Sequence, residues 1–153
     1  MDARWKPNVT VAAVVEAAGR YLVVEEHTAD GLRLNNPAGH LDPGESLVQA
    51  VARETLEETA CAFTPSHLVG IYLARSDADD VSYLRFAFAG VASAPVPGWK
   101  LDHGIVRTLW LTPSEIEASR ARHRSPLLWR CVQDHLAGKR YPLDLLASFA
   151  TEA

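Results

Sequence analysis

Residues 39–61 constrain the fold and the chemistry of this 153-residue chain more than any other segment. A proline-glycine turn leads to Ser46, a residue type that caps helices, and a run without proline or glycine follows it. At about 100° per residue, one face of the predicted helix is small and apolar. The other face gathers Glu54, Glu57 and Glu58 within an arc about 100° wide. This helix must therefore pack one face on a core and hold three acids together on the other.

Acids crowded in this way cost stability unless a cation lies on them. Like charges three and four residues apart on a helix repel by about 0.2–0.5 kcal/mol per pair, and the negative end of the helix dipole adds to the cost. Arg53 offsets only part of this charge, and Glu45 in the preceding turn adds a further acid. A solvated acidic face is the alternative interpretation, because such faces are common. The spacing G-x5-E-x7-R-E-x2-E-E from Gly39 onward favours a divalent cation that holds a diphosphate.

Length and composition predict one globular domain over residues 1–153. The net charge is −4 without a basic run, which argues against a nucleic-acid polymer as partner. The N-terminal sequence MDARWKPN has no apolar signal core, and no apolar run is long enough for a membrane span. We therefore expect a cytoplasmic protein with no membrane partner. Cys61 and Cys131 lack metal-ligand spacing and fit a reducing compartment, although a disulfide between them stays open.

Strand and helix signals mix without regular βαβ alternation, which predicts an α/β (α+β) fold with a mixed sheet between helices. Predicted strands cover 9–17 and 20–26 around a hairpin turn at Ala18-Gly19, 67–75 and 81–90 around an acidic tip, and 105–111. Thr112 and Pro113 begin a predicted helix, and Ser125-Pro126 opens another that ends near Gly138.

The spacing of the acidic segment resembles the Nudix box, G-x5-E-x7-R-E-U-x-E-E-x-G-U, in which U is an apolar aliphatic residue. Three positions depart from it: Thr55 and Cys61 stand at apolar positions, and Ala60 stands where the family has glycine. Glycine suits a left-handed residue just past a helix end, so alanine there costs of order 1 kcal/mol or the helix ends differently.

This resemblance implies an α/β/α sandwich and the hydrolysis of a diphosphate with Mg²⁺ or Mn²⁺. It implies that Glu54, Glu57 and Glu58 are catalytic residues and metal ligands, with the carbonyl of Gly39 as a further ligand. Hard cations of this kind take carboxylate and carbonyl oxygens. Glu54 is also the candidate that activates the attacking water.

In the same comparison Arg53 is a catalytic and structural residue, and Glu45 is expected to orient it by an ion pair. Such a pair would hold the turn against the helix. A solvated turn acid is the alternative interpretation of Glu45.

Further candidates lie outside the box. Nudix enzymes often recruit another base from a distant loop, so we expect a catalytic role for Asp102 and, as second choice, His103. A plain surface loop is the alternative. Arg85 and Arg75 are candidates for phosphate contact, although strand arginines often face solvent, and Tyr83 is a candidate for stacking on a base.

The sequence outside the box, from residue 6 to about residue 149, resembles the NudJ type of bacterial Nudix phosphatases. The resemblance is clearest at 124–127 (RSPL) and 140–143 (RYPL). It implies a small-molecule substrate, namely a nucleoside tri- or diphosphate, hydroxymethylpyrimidine diphosphate or thiamine diphosphate, hydrolysed to the monophosphate with Mg²⁺. Leu34 stands where that type carries tryptophan, so a stacking contact would be lost. We expect a monomer or a small homo-oligomer.

Three alternatives remain from the sequence. One is a Nudix pyrophosphohydrolase for oxidised nucleotides or ADP-ribose. Another is a Nudix-fold sensor that binds a nucleotide without cleaving it, although the three acids of the helix are all retained. The last is a structural protein with an acidic helix.

Overall fold

The elements are defined over residues 3–149, which a computed structural model describes. In chain order they are β1 (Asn8–Val14), β2 (Glu16–Ala17), β3 (Arg20–Thr28), β4 (Gly31–Asn35), β5 (Ala38–His40), α1 (Leu47–Thr59), β6 (Phe63–Ser76), β7 (Val81–Ala92), β8 (Ile105–Leu111), α2 (Pro113–Ala118) and α3 (Leu127–Leu136), with single 3₁₀ turns at Arg120–Arg122 and Leu143–Leu145. The predicted bounds of β8 and the predicted start of α2 agree with these elements.

The strands form two sheets. The first has the order β5-β1-β7-β6, in which β1 and β7 are parallel and the other pairs are antiparallel. The second is built on β3, which pairs with β2, β4 and β8, all antiparallel. The turn between β2 and β3 has positive φ at Ala18 (51°) and Gly19 (77°), as a tight hairpin requires.

Apolar side chains fill both sides of the first sheet. Helix α1 buries Ala50 and Val51 with alternate residues of β1, among them Val11 and Ala13. The opposite face of the sheet packs against the second sheet, α2 and α3 in a second cluster. One side of the chain's acidic helix is thereby anchored in the core, and its acids lie along the β5 edge of the first sheet.

The predicted fold class is confirmed: mixed sheets lie between helices in an α+β architecture. The sequence patterns predicted one mixed sheet, and the structure divides the strands into two. Cys61 and Cys131 are both buried free thiols, so the disulfide left open by the sequence is not formed. Within residues 3–149, no helix combines the length and the apolar character needed to cross a bilayer.

Candidate active site

Helix α1 begins at the cap that its local sequence predicts, and the structure settles how it ends. The Ser46 side chain accepts a hydrogen bond from the Gln49 N–H, and the Gln49 side chain accepts one from the Ser46 N–H at 2.9 Å, which completes a capping box. At the other end Ala60 adopts the left-handed conformation, with φ of 63°, and its N–H donates to the carbonyl of Leu56. The chain keeps the helix exit that suits glycine and accepts a cost of about 1–2 kcal/mol for the β-carbon.

Arg53 connects the turn, the strand and the helix. Its Nε and Nη2 donate to the two carboxylate oxygens of Glu45 at 2.9 and 2.7 Å. Its Nη1 donates to Glu54 at 2.9 Å and to Glu57 at 3.2 Å, and Nη2 also donates to the carbonyl of His40 at 2.9 Å. This bidentate hydrogen bonding lowers the pKa of Glu45 below its ordinary value. The ion pair predicted between Glu45 and Arg53 is present, and it joins the turn to α1.

Three carboxylates meet beside Arg53. Glu54, Glu57 and Asp102 each offer one oxygen, and these oxygens all lie within 4.8 Å of one another. The N–H of Asp102 donates to the carbonyl of Glu57 at 2.9 Å, which ties the loop before β8 to the end of α1. Burial raises the pKa of Glu54 more than Arg53 lowers it, and the charges of Glu57 and Asp102 raise it further. This oxygen donor set, with negative charge left over, fits a hard divalent cation such as Mg²⁺ or Mn²⁺.

Gly39 on β5 lies directly against the Glu54 carboxylate. A β-carbon built on Gly39 would lie 2.0 Å from Glu54 Cδ and 2.2 Å from each carboxylate oxygen. A side chain at this position would therefore force the Glu54 carboxylate to move, which gives a steric reason for the glycine at the head of the motif. The carbonyl of Gly39 stays a predicted metal ligand.

Glu58 points to the start of β5. Its Oε1 accepts a hydrogen bond from the Ala38 N–H at 2.7 Å, and the residue is only 7% exposed. Burial raises the pKa of Glu58 to about 8, and the charges of Glu26, Glu54 and Asp102 act in the same direction. Glu58 is not one of the three acids grouped within 4.8 Å, so its role as a ligand stays a prediction.

Glu26 is a further acid at this site, and sequence reasoning missed it. It is buried near the end of β3, its charge acts on Glu58, and its Oε1 lies 2.8 Å from Nη1 of Arg124. The available signal was the pair Glu25-Glu26 at the end of an otherwise apolar strand, YLVV, because buried carboxylates need a partner.

The other predicted contact residues lie in different surroundings. Arg85 on β7 is 6% exposed, and its guanidinium donates to the side-chain oxygens of Asn36 at 2.9 Å and Asn35 at 3.2 Å. Arg75 lies at the exposed end of the β6–β7 hairpin and pairs there with an aspartate, Asp80. The ring of Tyr83 meets that of His40 edge to face, with centroids 6.3 Å apart. Tyr83 therefore borders β5, and the substrate roles of Arg85, Arg75 and Tyr83 stay predictions.

Comparisons with known proteins agree with one another over most of the chain. The sequence profile of the NUDIX domain matches residues 5–130. Phosphatase NudJ of Escherichia coli strain K12 is 41% identical over 147 residues, which cover 95% of this chain and 94% of that protein. A solved structure, the NUDIX hydrolase from Nitrosomonas europaea, is 51% identical with a TM-score of 0.92 and covers 94% of this chain and 98% of that one.

The fold is also shared by more distant structures. The NUDIX domain of Shewanella oneidensis NrtR, solved with ADP ribose, has a TM-score of 0.67 at 16% identity, over 87% of this chain and 90% of that one. At that identity the similarity is one of fold alone.

Proposed function

The chain belongs to the Nudix family of hydrolases, which act on phosphoanhydride bonds, and from this premise we propose that it cleaves nucleoside tri- and diphosphates, and pyrimidine or thiamine diphosphates, to monophosphates with Mg²⁺. The observation that carries the proposal is the group of carboxylate oxygens of Glu54, Glu57 and Asp102 within 4.8 Å. Similarity to phosphatase NudJ over nearly the whole length supports the substrate class.

Glu54, Glu57 and Asp102 would hold the metal ion, and Glu58 and the carbonyl of Gly39 are further candidate ligands. When bound, Mg²⁺ would neutralise charge on the phosphoryl oxygens and lower the pKa of a bound water. Three carboxylates, those of Glu54, Glu57 and Asp102, meet beside the single guanidinium of Arg53, so negative charge is left for a cation to balance.

The residues themselves would align a water and take its proton, which phosphoanhydride hydrolysis requires. Glu54 is our candidate base, because its carboxylate lies in the group of acids that would hold the cation and therefore beside a water that the cation would bind. Arg53 Nη1 contacts Glu54 and Glu57 together and so fixes the direction of both carboxylates. Glu45 in turn fixes Arg53 through two hydrogen bonds.

The test is phosphate release from thiamine diphosphate, ATP and GDP with Mg²⁺, for the wild type and Glu57→Gln. Because removal of one charged group that acts on the transition state costs about 10²–10³ in rate, we expect a loss of kcat of that size with the fold retained. Glu117→Gln is the matched control, since it makes the same change of charge on an exposed face of α2. It should leave turnover unchanged.

Each other outcome assigns a different function. Binding of these compounds without turnover would contradict the proposal and favour a nucleotide sensor. Turnover confined to ADP-ribose or oxidised nucleotides would favour another Nudix pyrophosphohydrolase. Equal turnover by the wild type and Glu57→Gln would show that the carboxylate of Glu57 is not needed for catalysis.

A further inference from the structure

A second arginine, Arg124, lies beside Glu26, the buried acid whose charge acts on Glu58. It precedes α3, and its N–H donates to the carbonyl of Leu34 on β4 at 2.9 Å. The neighbouring Ser125 side chain accepts a hydrogen bond from the N–H of Leu127, the first residue of α3, at 3.2 Å. The backbone at Arg124 is therefore held on both sides, by a strand and by a helix.

The guanidinium of Arg124 faces the acids. Nη1 lies 2.8 Å from Glu26 Oε1, and Glu26 is one of the charges that act on Glu58. Burial lowers the pKa of Arg124, but the contact with Glu26 and the charges of Glu26, Tyr83 and Glu58 together raise it above its ordinary value. Arg124 is thus close to Glu58, an acid of the Nudix box, and to Tyr83, the aromatic residue that borders β5.

This arginine has capacity to bind a ligand. A guanidinium carries five N–H donors, and the contact with Glu26 uses one nitrogen, while 54% of the side chain is exposed. Arg53, in contrast, gives its nitrogens to Glu45, the helix acids and a carbonyl. Arg85 is buried and bonded to two asparagines.

A phosphate group matches those remaining donors. Arginine binds phosphate oxygens through two parallel N–H bonds, which lysine cannot reproduce. Because Glu26 is buried and holds Nη1, the guanidinium can keep that contact while its exposed edge meets an anion. Arg124 also feels the charge of Glu58, an acid of the Nudix box, so a diphosphate held on the acids would have this guanidinium nearby.

We propose that Arg124 is a substrate-binding residue. It binds one of the two phosphates of a nucleoside or pyrimidine diphosphate, namely the phosphate whose charge the metal ion does not neutralise, and Glu26 fixes the position of its guanidinium. This inference rests on the proposed function and adds to it the residue that selects for a second phosphate.

The test compares Arg124→Ala and Arg124→Lys with a matched control, Arg122→Ala. Arg122 lies two residues earlier and pairs with Glu25, a buried acid next to Glu26 on β3, so its loss makes the same kind of change in stability. Four quantities are measured: KM and kcat for GDP with Mg²⁺, the affinity for α,β-methylene-ADP with Mg²⁺ by calorimetry, and the affinity for Mn²⁺ alone.

We expect Arg124→Ala to raise KM and weaken binding of the analogue by about tenfold to a hundredfold, the size of a lost charge-assisted hydrogen bond, with kcat changed much less. Arg124→Lys should recover part of the loss. Arg122→Ala should match the wild type, and the affinity for Mn²⁺ alone should not change in any of the variants.

An unchanged KM and an unchanged affinity for the analogue in Arg124→Ala would overturn the inference. Turnover by the wild type in the same assay would still support the proposed function. A parallel loss of Mn²⁺ affinity would also overturn it, because Arg124 would then act on the acids rather than on substrate. Wild type that binds the analogue through Arg124 without any turnover would support the inference and contradict the proposed hydrolysis. Wild type that neither binds nor turns over would overturn both.

Discussion

Replacement of Gly39 by alanine tests whether the position of the Glu54 carboxylate controls activity. The new β-carbon would lie 2.0 Å from Glu54 Cδ, and ordinary van der Waals contact begins at 3.4 Å, so the carboxylate must move by about 1.4 Å. The fold can absorb this movement, because the obstacle is the end of a flexible side chain. The carboxylate would leave Arg53, to which it bonds at 2.9 Å, and the group shared with Glu57 and Asp102.

A misplacement of about 1 Å can cost roughly 10²-fold in rate, so we expect Gly39→Ala to lose about that factor in kcat with little change in melting temperature. Phosphate release from GDP with Mg²⁺ and a thermal melt measure the two effects. Gly19→Ala is the control: it places a β-carbon at φ of 77° in the hairpin before β3, where no atom lies within 4 Å. That variant should lower the melting temperature and keep kcat. Wild-type kcat in Gly39→Ala would refute a role for the placement of Glu54.

Two further predictions concern stability. Arg53→Lys keeps the charge, but one ammonium group cannot contact Glu45 and the helix acids together. Urea melts should therefore show a free energy of unfolding lower by about 1–3 kcal/mol, and activity assays should show a reduced kcat. A free energy of unfolding equal to that of the wild type would contradict this prediction. Burial lowers the pKa of His67, and the charges of Arg140 and His135 lower it further, so the unfolded chain binds a proton more readily. The free energy of unfolding should therefore fall as the pH drops below about 6.5. In urea melts from pH 8 to pH 5, His67→Asn should make this dependence on pH less steep. An unchanged dependence would contradict a contribution from His67.

Features set by neighbouring residues in the sequence were predicted well. The turn, the cap at Ser46 and the amphipathic spacing place α1, because each depends on residues within one or two turns of helix. The ion pair of Glu45 and Arg53, which the resemblance to the Nudix box implied, is present in the structure. Ala60 shows the limit of this reasoning: the sequence left two outcomes open, and in the structure the residue is buried and takes the left-handed exit.

Features set by long-range packing were not predicted. Glu26 and Arg124 meet through the placement of β3 and of the segment before α3, which no local pattern encodes. Arg85 points inward as an arginine needing a partner should, but its Nη1 and Nη2 donate to the side-chain oxygens of Asn36 and Asn35. The division into two sheets also escaped prediction, since a hairpin turn determines which strands pair and not which sheet they join.

The parallel pairing of β1 and β7 has a consequence for the order in which the molecule assembles. Residues 15–80 lie between these strands, so the central ladder closes only after a long loop has been ordered, and contacts of that separation slow folding. Helix α1 lies inside that loop and Asp102 lies beyond it. A nascent chain can thus form its acidic helix early while the opposing carboxylate is still missing, and the ability to capture a cation arises late, as a product of the completed topology.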